Sequence, residues 1–247
     1  MMSGFDTSVF SQPKSNLLKK VIFAFLGVIL MGIGIAFNAC ANLGSDPISV
    51  FSYGIHSFGG VNLGTAFNVT NYTLLFIVLI FGRRYINIGT LIHTLFLGIF
   101  VNLGGDLYLA VKNFLLILNG FNDIAFRVIM AIIACFLLFF GTAMLIAADI
   151  GLDVWTGLAM ILRDQTHKEY KFFRVAIDIF SLVVGFFLGG SAAIGVTTVL
   201  AALFGGPIIQ NFVNLIKKSV FSVIKLKNND IQRRFYYGKN SHTAYRC

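Results

Sequence analysis

The sequence predicts an all-α polytopic membrane protein with six transmembrane helices, arranged as two inverted three-helix repeats. Each repeat is expected to carry a short broken or re-entrant helix after its first span. Three observations predict this fold class: the apolar composition, the one-sided distribution of Lys and Arg, and a segment that recurs 107 residues later.

The composition excludes most soluble classes of protein. Of the 247 residues, 57% are hydrophobic and only 12% are charged, about half the charged fraction of a typical soluble domain. Such a chain is too apolar to be disordered. The 27 Phe, 25 Gly and 3 Pro residues are typical of a helical membrane protein. The Cys residues, at 40, 135 and 247, have no metal or redox spacing, so neither a metal nor a cofactor is expected.

Six apolar runs are long enough to cross a bilayer, which takes about 20 residues. They cover residues 19–41, 64–82, 88–105, 124–148, 172–189 and 192–215. The first run follows three Lys residues, as in a signal peptide. From Val21 to Ala41, however, it is longer than the roughly 7–15 residues of a cleavable core, and we therefore expect a retained helix.

The distribution of cations predicts the orientation. Seventeen of the 19 Lys and Arg residues lie in alternate segments: both tails and the connections around spans two to three and four to five. The other connections contain only Lys112 and Arg127. Because cytoplasmic segments are enriched in Lys and Arg, both termini are predicted to be cytoplasmic. The same clustering explains the net charge of +9 without a nucleic-acid partner.

An internal repeat divides the membrane region into residues 17–117 and 118–217. The segment 34–49 (GIAFNACANLGSDPIS) shares five identical positions with the segment 141–156 (GTAMLIAADIGLDVWT). Weaker matches follow at an offset of 106, with Phe67 against Phe173 and Ile88-Gly89 against Ile194-Gly195. Because each unit contains three spans, an odd number, the second copy must be inverted. Inverted repeats are typical of secondary transporters.

The recurring segment contains a Gly-x-Asp turn. Gly44 can end span one in a left-handed conformation, and Asp46 can cap a short helix with Pro47 in its first turn, extending to about His56. Gly151 and Asp153 repeat the pattern before a helix that extends to about Leu162. Two interpretations remain open for both Asp residues: they cap the short helices, or they contact a substrate or a proton.

The residues of these turns resemble a known family. Ala41-Asn42-Leu43-Gly44-Ser45-Asp46-Pro47, its counterpart Ala148–Trp155, and Arg83-Arg84 before Ile88-Gly89-Thr90 are similar to the bacterial YczE/YitT-like integral membrane proteins. The chain departs from that pattern with Ile48, where an aromatic residue is expected, and Val154, where Pro is expected. The resemblance covers about residues 20–215 and implies a bacterial plasma-membrane protein with two copies of one unit. It implies no substrate and no catalytic residue.

Polar residues within the spans are the remaining site candidates, because ionisable groups at membrane depth are costly. Asp178 follows Arg174 by one helical turn. Either the two form an ion pair near the interface, or Asp178 is a protonatable carboxylate that faces a cavity. Trp155 is either an interfacial anchor or a stacking surface beside Asp153. The other candidates for substrate or ion binding are Asn42, Asn71 and Asp149.

The two tails and two glycine clusters complete the prediction. Residues 1–16 are predicted to be disordered, and the basic tail at 218–247 is expected to lie on anionic lipids of the cytoplasmic leaflet. Gly104-Gly105 and Gly205-Gly206-Pro207 are expected to break spans three and six.

The function that the sequence favours is a secondary transporter or permease for a small solute, energised without a nucleotide-binding motif in the chain. The alternative is a non-transporting membrane scaffold or regulator that acts through the basic tail. An intramembrane enzyme is disfavoured because no catalytic motif is found.

Overall fold

The computed structural model describes residues 14–117, 123–189 and 193–221, and this part of the chain is helical. Eight α-helices follow in order: α1 Lys14–Ala41, α2 Pro47–Gly59, α3 Leu63–Phe81, α4 Ile88–Ile117, α5 Asp123–Ala148, α6 Val154–Thr166, α7 Tyr170–Phe187 and α8 Val196–Ile216. A 3₁₀ turn, Arg83–Tyr85, separates α3 from α4, and a π-helical turn, Lys217–Phe221, follows α8.

Five of these helices are long and apolar enough to cross a membrane: α1, α3, α4, α5 and α8. They match five of the six predicted spans to within a few residues, except that α4 extends to Ile117. The sixth predicted span corresponds to α7, which has 18 residues and contains Lys171, Arg174 and Asp178. The helical content and the multi-pass membrane character are therefore confirmed.

Two details of the predicted boundaries differ from the structure. Residues 1–16 are predicted to be disordered, but α1 already begins at Lys14, so the last three of them are helical. Residues 1–13, the boundary between the predicted repeats at 117–118 and the tail beyond residue 221 lie wholly or partly outside the described residues.

Helices α4 and α8 continue through Gly104-Gly105 and through Gly205-Gly206-Pro207, so neither cluster interrupts its helix as a break would. A bend or a gate at these positions stays a prediction. Gly104 allows close packing: a methyl group there would lie 2.8 Å from the Cβ atom of Ala36 on α1. Pro207 removes one backbone donor from α8, a loss that membrane helices accommodate.

Helices α1 and α5 form an antiparallel pair at the centre of the fold. A Cβ atom at Gly27 would lie 2.8 Å from the carbonyl oxygen of Gly141, and one at Gly34 would lie 2.7 Å from the amide nitrogen of Leu138. The order of these contacts fixes the antiparallel direction. Small residues allow such close approach, which is how helices associate in a lipid environment.

The other helices pack around this pair in corresponding positions. Helix α4 packs on α1, and α8 packs on α5. The short helix α2 packs on α7 in parallel, with Gly54 against Gly185 and Ser57 against Gly189. The short helix α6 packs on α3 in the same way, through Val78 and Gly157.

The two short helices run in opposite directions. Helix α6 is parallel to α3, whereas α2 contacts α3 and is joined to it by the three-residue connection 60–62, which reverses the chain. Their first turns meet in an apolar cluster that includes Ile48 and Phe51 of α2 and Val154 and Trp155 of α6. The beginnings of both short helices are therefore brought together inside the fold.

Candidate functional site

The breaks after α1 and α5 have the same backbone geometry. Asn42 and Asp149 are left-handed, with φ of 55° and 53°, and Gly44 and Gly151 also have positive φ, at 113° and 145°. Residues other than Gly rarely adopt a positive φ, although Asn and Asp do so more readily than most. Both Asn42 and Asp149 are exposed. The structure thus places these two site candidates at the ends of the long helices, as backbone turns.

Asp46 and Asp153 cap the two short helices. The carboxylate of Asp46 accepts hydrogen bonds from the backbone amide of Ser49 at 3.2 Å and from its hydroxyl at 2.5 Å. The carboxylate of Asp153 accepts from the amide and the hydroxyl of Thr156 at 3.0 and 2.6 Å. Pro47 occupies the first turn of α2, as the sequence predicts. Capping is therefore one role of both Asp residues.

The backbone at each break accepts hydrogen bonds from the other half of the chain. The carbonyl oxygen of Leu43 accepts hydrogen bonds from the amide and the hydroxyl of Thr197, both at 3.1 Å, at the beginning of α8. The carbonyl oxygen of Ile150 accepts from the amide of Gly89 at 2.9 Å, at the beginning of α4.

The hydroxyls of two threonines form further hydrogen bonds between the halves. The hydroxyl of Thr90 donates to the carbonyl oxygen of Leu152 at 2.6 Å. The hydroxyl of Thr198 accepts from the amide of Ser45 at 3.1 Å. The backbone around the two breaks is therefore tied to α8 and α4, and the orientation of both Asp caps depends on contacts between the halves.

Trp155 lies between the short helices. Its side chain is 5% exposed and meets the ring of Phe51 edge-on, with 5.7 Å between the ring centroids. The interpretation of Trp155 as an interfacial anchor is wrong, because the indole is enclosed by α2, α6 and α7 rather than exposed at the surface. The aromatic contact joins the two first turns.

A charged pair on α7 lies beside these turns. The Arg174 Nε atom is 3.5 Å from an Asp178 carboxylate oxygen, and both side chains are partly buried. Arg174 is close enough to interact electrostatically with Asp46 and Asp153 as well. His93 of α4, which is 3% exposed, interacts with Asp153. The fold thus brings together three carboxylates, one guanidinium and one imidazole from four segments of the chain.

Several buried side-chain polar atoms have no hydrogen-bond partner within the described part of the chain. They belong to Asn38, Ser45, Ser52, Asn68, Asn71, His93, Thr94, Asp178 and Ser181. Buried polar groups are normally paired, so unpaired ones indicate a ligand, an ion or ordered water.

Ser181 lies one turn beyond Asp178 on α7 and is fully buried. The next turn of α7 contains Gly185, which packs against the Val50 carbonyl oxygen. Ser181 is therefore near the level of the Asp46 cap. Neither Ser181 nor Ser52 is a site candidate from the sequence alone, although the spacing of Arg174, Asp178 and Ser181 along one helix face was an available signal.

Asn71 occupies a corresponding place on α3. It is 1% exposed, and Leu74 and Leu75 in the following turn pack against the cluster of Val154 and Trp155. Of the predicted site residues, Asp46, Asp153, Asp178, Asn71 and Trp155 therefore lie around the meeting point of the short helices. Within the described residues, no group of three or more His, Cys, Asp or Glu side chains is placed to hold a metal ion.

The long apolar helices define the chain as a multi-pass membrane protein, with a polar group between the short helices α2 and α6. The chain belongs to a family described as a family of unknown function, DUF6198, whose model matches residues 18–214.

Three relatives have similar extents. The chain is 25% identical over 200 residues to an uncharacterized protein of Haemophilus influenzae, covering 81% of this chain and 86% of the relative. It is 22% identical over 198 residues to the uncharacterized membrane protein YczE of Bacillus subtilis, covering 80% and 86%. It is 24% identical over 204 residues to the uncharacterized protein YyaS of Bacillus subtilis, covering 82% and 96%. The resemblance to a YczE-like family is confirmed, and no solved structure matches the chain.

Proposed function

We propose that the protein is a secondary transporter or permease for a small solute, with its site where the first turns of α2 and α6 meet. One observation carries this proposal: two oppositely directed short helices begin next to each other, beside Arg174 and Asp178. Broken helices at corresponding positions of two repeats, with their ends at a common site, are typical of secondary transporters.

The proposal requires six spans, with α7 as the sixth. Apart from three charged residues its 18 residues are apolar or small, except for Tyr170 and Ser181. The ion pair of Arg174 and Asp178 lowers the cost of placing both charges within a span. The distribution of Lys and Arg then puts both termini on the cytoplasmic side of a bacterial cell membrane.

The contacts also support two inverted repeats. Val50 of α2 packs on Gly185 of α7, and residues 107 positions away in each case, Gly157 and Val78, pack on each other. Gly54 corresponds to Ile161, and each packs on the end of its partner helix, Gly54 against Leu188 and Ile161 against Gly82, here at an offset of 106. An exchange of partners at an offset of 106–107, with α1 antiparallel to α5, is what a two-fold relation between inverted halves requires.

The correspondence also refines the alignment of the repeats. At an offset of 107, Asn71 corresponds to Asp178. In the first turns of α4 and α8 the hydroxyls of Thr90 and Thr198 have equivalent backbone partners, at an offset of 108. The proposal uses these two values in place of the offset of 106 expected from the sequence for these regions. Asn71 and Asp178 are then equivalent polar residues, one in each half.

The charges suggest how transport is energised. Asp46, Asp153 and Asp178 outnumber Arg174, so the group is net negative when all four are ionised, and a cation such as the proton suits it as a coupling ion. Asp178 has one carboxylate oxygen that is buried without a partner among the described residues. Protonation would turn this group into a donor. Rocking of the two halves would then expose the site to each side in turn.

The test is transport by the purified protein in proteoliposomes. Solute-dependent currents and changes of internal pH are measured for vitamins, nucleobases and organic anions, and each responding solute is tested again with Asp178→Asn. We expect a loss of at least about tenfold in rate. Asp123→Asn is the matched control, since Asp123 is an exposed carboxylate at the beginning of α5.

Two results would contradict the proposal. An unchanged rate in Asp178→Asn would remove this carboxylate from the transport site. A folded protein that responds to no solute, but binds a cytoplasmic partner through residues 218–247, would favour the scaffold or regulator that the sequence leaves as the alternative.

A further inference from the structure

The connection after α3 and the end of α6 form an open pocket of about 530 Å³. Arg84, Arg163, Asp164, His167 and Lys168 line it. Three of these side chains are cationic at neutral pH and one is anionic. The pocket lies at the opposite end of α6 from Asp153, so it is separate from the proposed transport site.

Asp164 holds the two arginines in place. Its carboxylate accepts hydrogen bonds from the Arg163 Nε and Nη2 atoms at 2.9 and 2.7 Å. It also pairs with the Arg84 Nη2 atom and accepts from the hydroxyl of Tyr85. The described hydrogen bonds thus use one edge of each guanidinium. The Nη1 atoms remain as donors, and a guanidinium fork suits the oxygens of a phosphate group.

The same place in the other half of the chain has no Lys or Arg. At the offset of 107, Arg163 and Lys168 correspond to His56 and Val61. His167 corresponds to Gly60, and both end their helix in the left-handed conformation, with φ of 56° and 62°. Glycine adopts this conformation more readily. The backbone of this turn therefore does not require these cations. An excess of Lys and Arg on the predicted cytoplasmic side accounts for their number, and their position around one pocket suits an anionic ligand.

Exposed apolar side chains adjoin the cations. Phe81, at the end of α3, is 63% exposed, and Phe172, on α7, is 59% exposed. The Lys168 Nζ atom lies 5.4 Å from the centre of the Phe172 ring. Cations next to an apolar surface are expected at the level of lipid headgroups, where the phosphate meets the acyl chains.

We propose that this pocket binds the phosphate group of an anionic phospholipid. Arg84 and Arg163 contact the phosphate oxygens, Lys168 adds a third cation, and Phe81 and Phe172 contact the acyl chains. A soluble phosphate compound shares this headgroup chemistry but lacks the acyl chains, so the two sources can be distinguished.

The experiment measures the thermal unfolding of the full chain in detergent. Short-chain phosphatidylglycerol, short-chain phosphatidylcholine and inorganic phosphate are added separately. We expect phosphatidylglycerol to raise Tm by about 3 °C or more, phosphatidylcholine to raise it much less, and phosphate to have a small effect. Lys168→Gln and Arg163→Gln should each lose at least half of the increase. Lys168 contacts the Phe172 ring, so its replacement leaves the Asp164 contacts in place.

The controls are Lys112→Gln and Arg127→Gln, which remove cations that pair with Asp123 at 3.6 and 2.9 Å. Both should keep the full increase. An increase that persists in the pocket variants, or that falls equally in the controls, would overturn the site. An equal response to phosphatidylcholine would do the same. If inorganic phosphate alone reproduces the increase, the lipid is overturned as the source.

Discussion

Asp46 and Asp153, which are 107 residues apart, cap two short helices with almost the same backbone geometry, φ −66° and ψ 156° against φ −65° and ψ 157°. Each carboxylate accepts from the amide and the hydroxyl of the residue three positions later. The two caps lie on oppositely directed helices whose first turns are in contact. If the proposed transport site is right, each of these side chains combines a charge used in transport with an acceptor used in folding.

These two roles can be separated at Asp153. Asp153→Asn keeps an oxygen that can accept from Thr156, whereas Asp153→Ala removes it. Loss of a cap costs about 1 kcal/mol, so we expect the Ala variant to unfold at lower temperature and the Asn variant to stay close to the parent protein. Transport should fall in both variants. Thermal unfolding and transport measured on the same preparations check this prediction, and full transport by the Asn variant would contradict it.

Removal of one partner of the Arg174–Asp178 pair should destabilise the protein more than removal of both. Arg174→Gln leaves several carboxylates without their nearby cation, so we expect a loss of about 1–3 kcal/mol. The double variant with Asp178→Asn should recover part of it. A double-mutant cycle of the free energy of unfolding measures the coupling. Strictly additive effects on the free energy of unfolding would show that Arg174 and Asp178 do not stabilise each other.

The hydroxyls of Thr90, Thr197 and Thr198 take part in the contacts between the halves. Thr90→Val removes the hydrogen bond to Leu152, and Thr198→Val removes the one from Ser45, so each should cost about 1–2 kcal/mol. Thr73→Val is the control, because the Thr73 hydroxyl is exposed and bonds within its own helix. Thermal unfolding should separate the first two variants from the third. Equal stability of all three would contradict the role given to these hydroxyls.

The proposed inverted arrangement predicts the sides of the membrane from which two engineered cysteines react. Asn62 and Gln165 are exposed and lie close to the ends of the two short helices. In a background without the native cysteines, Asn62→Cys should react with an impermeant maleimide from outside the cell. Gln165→Cys should react only after the membrane is opened. Reaction of both from the same side would exclude inversion.

The long helices were predictable because a bilayer imposes a length and a composition on each span. Five of them lie within a few residues of the expected bounds, apart from the end of α4. The Gly-x-Asp turns were predictable for a local reason, since Gly44, Asp46 and Pro47 have strong positional preferences. The sequence left two interpretations of Trp155 open because a lone Trp has the same local signature whether it faces lipid or packs between helices.

The sequence by itself determined which segments are helical and where α1 and α5 end, because hydropathy and backbone preferences act over a few neighbouring residues. Only the tertiary structure decided that Asp46, Asp153, Arg174 and His93 share one site, and that Ser181 belongs beside them. Helix packing sets those distances. It depends on close approaches such as Gly27 to Gly141, which involve residues far apart in the chain and leave no local pattern.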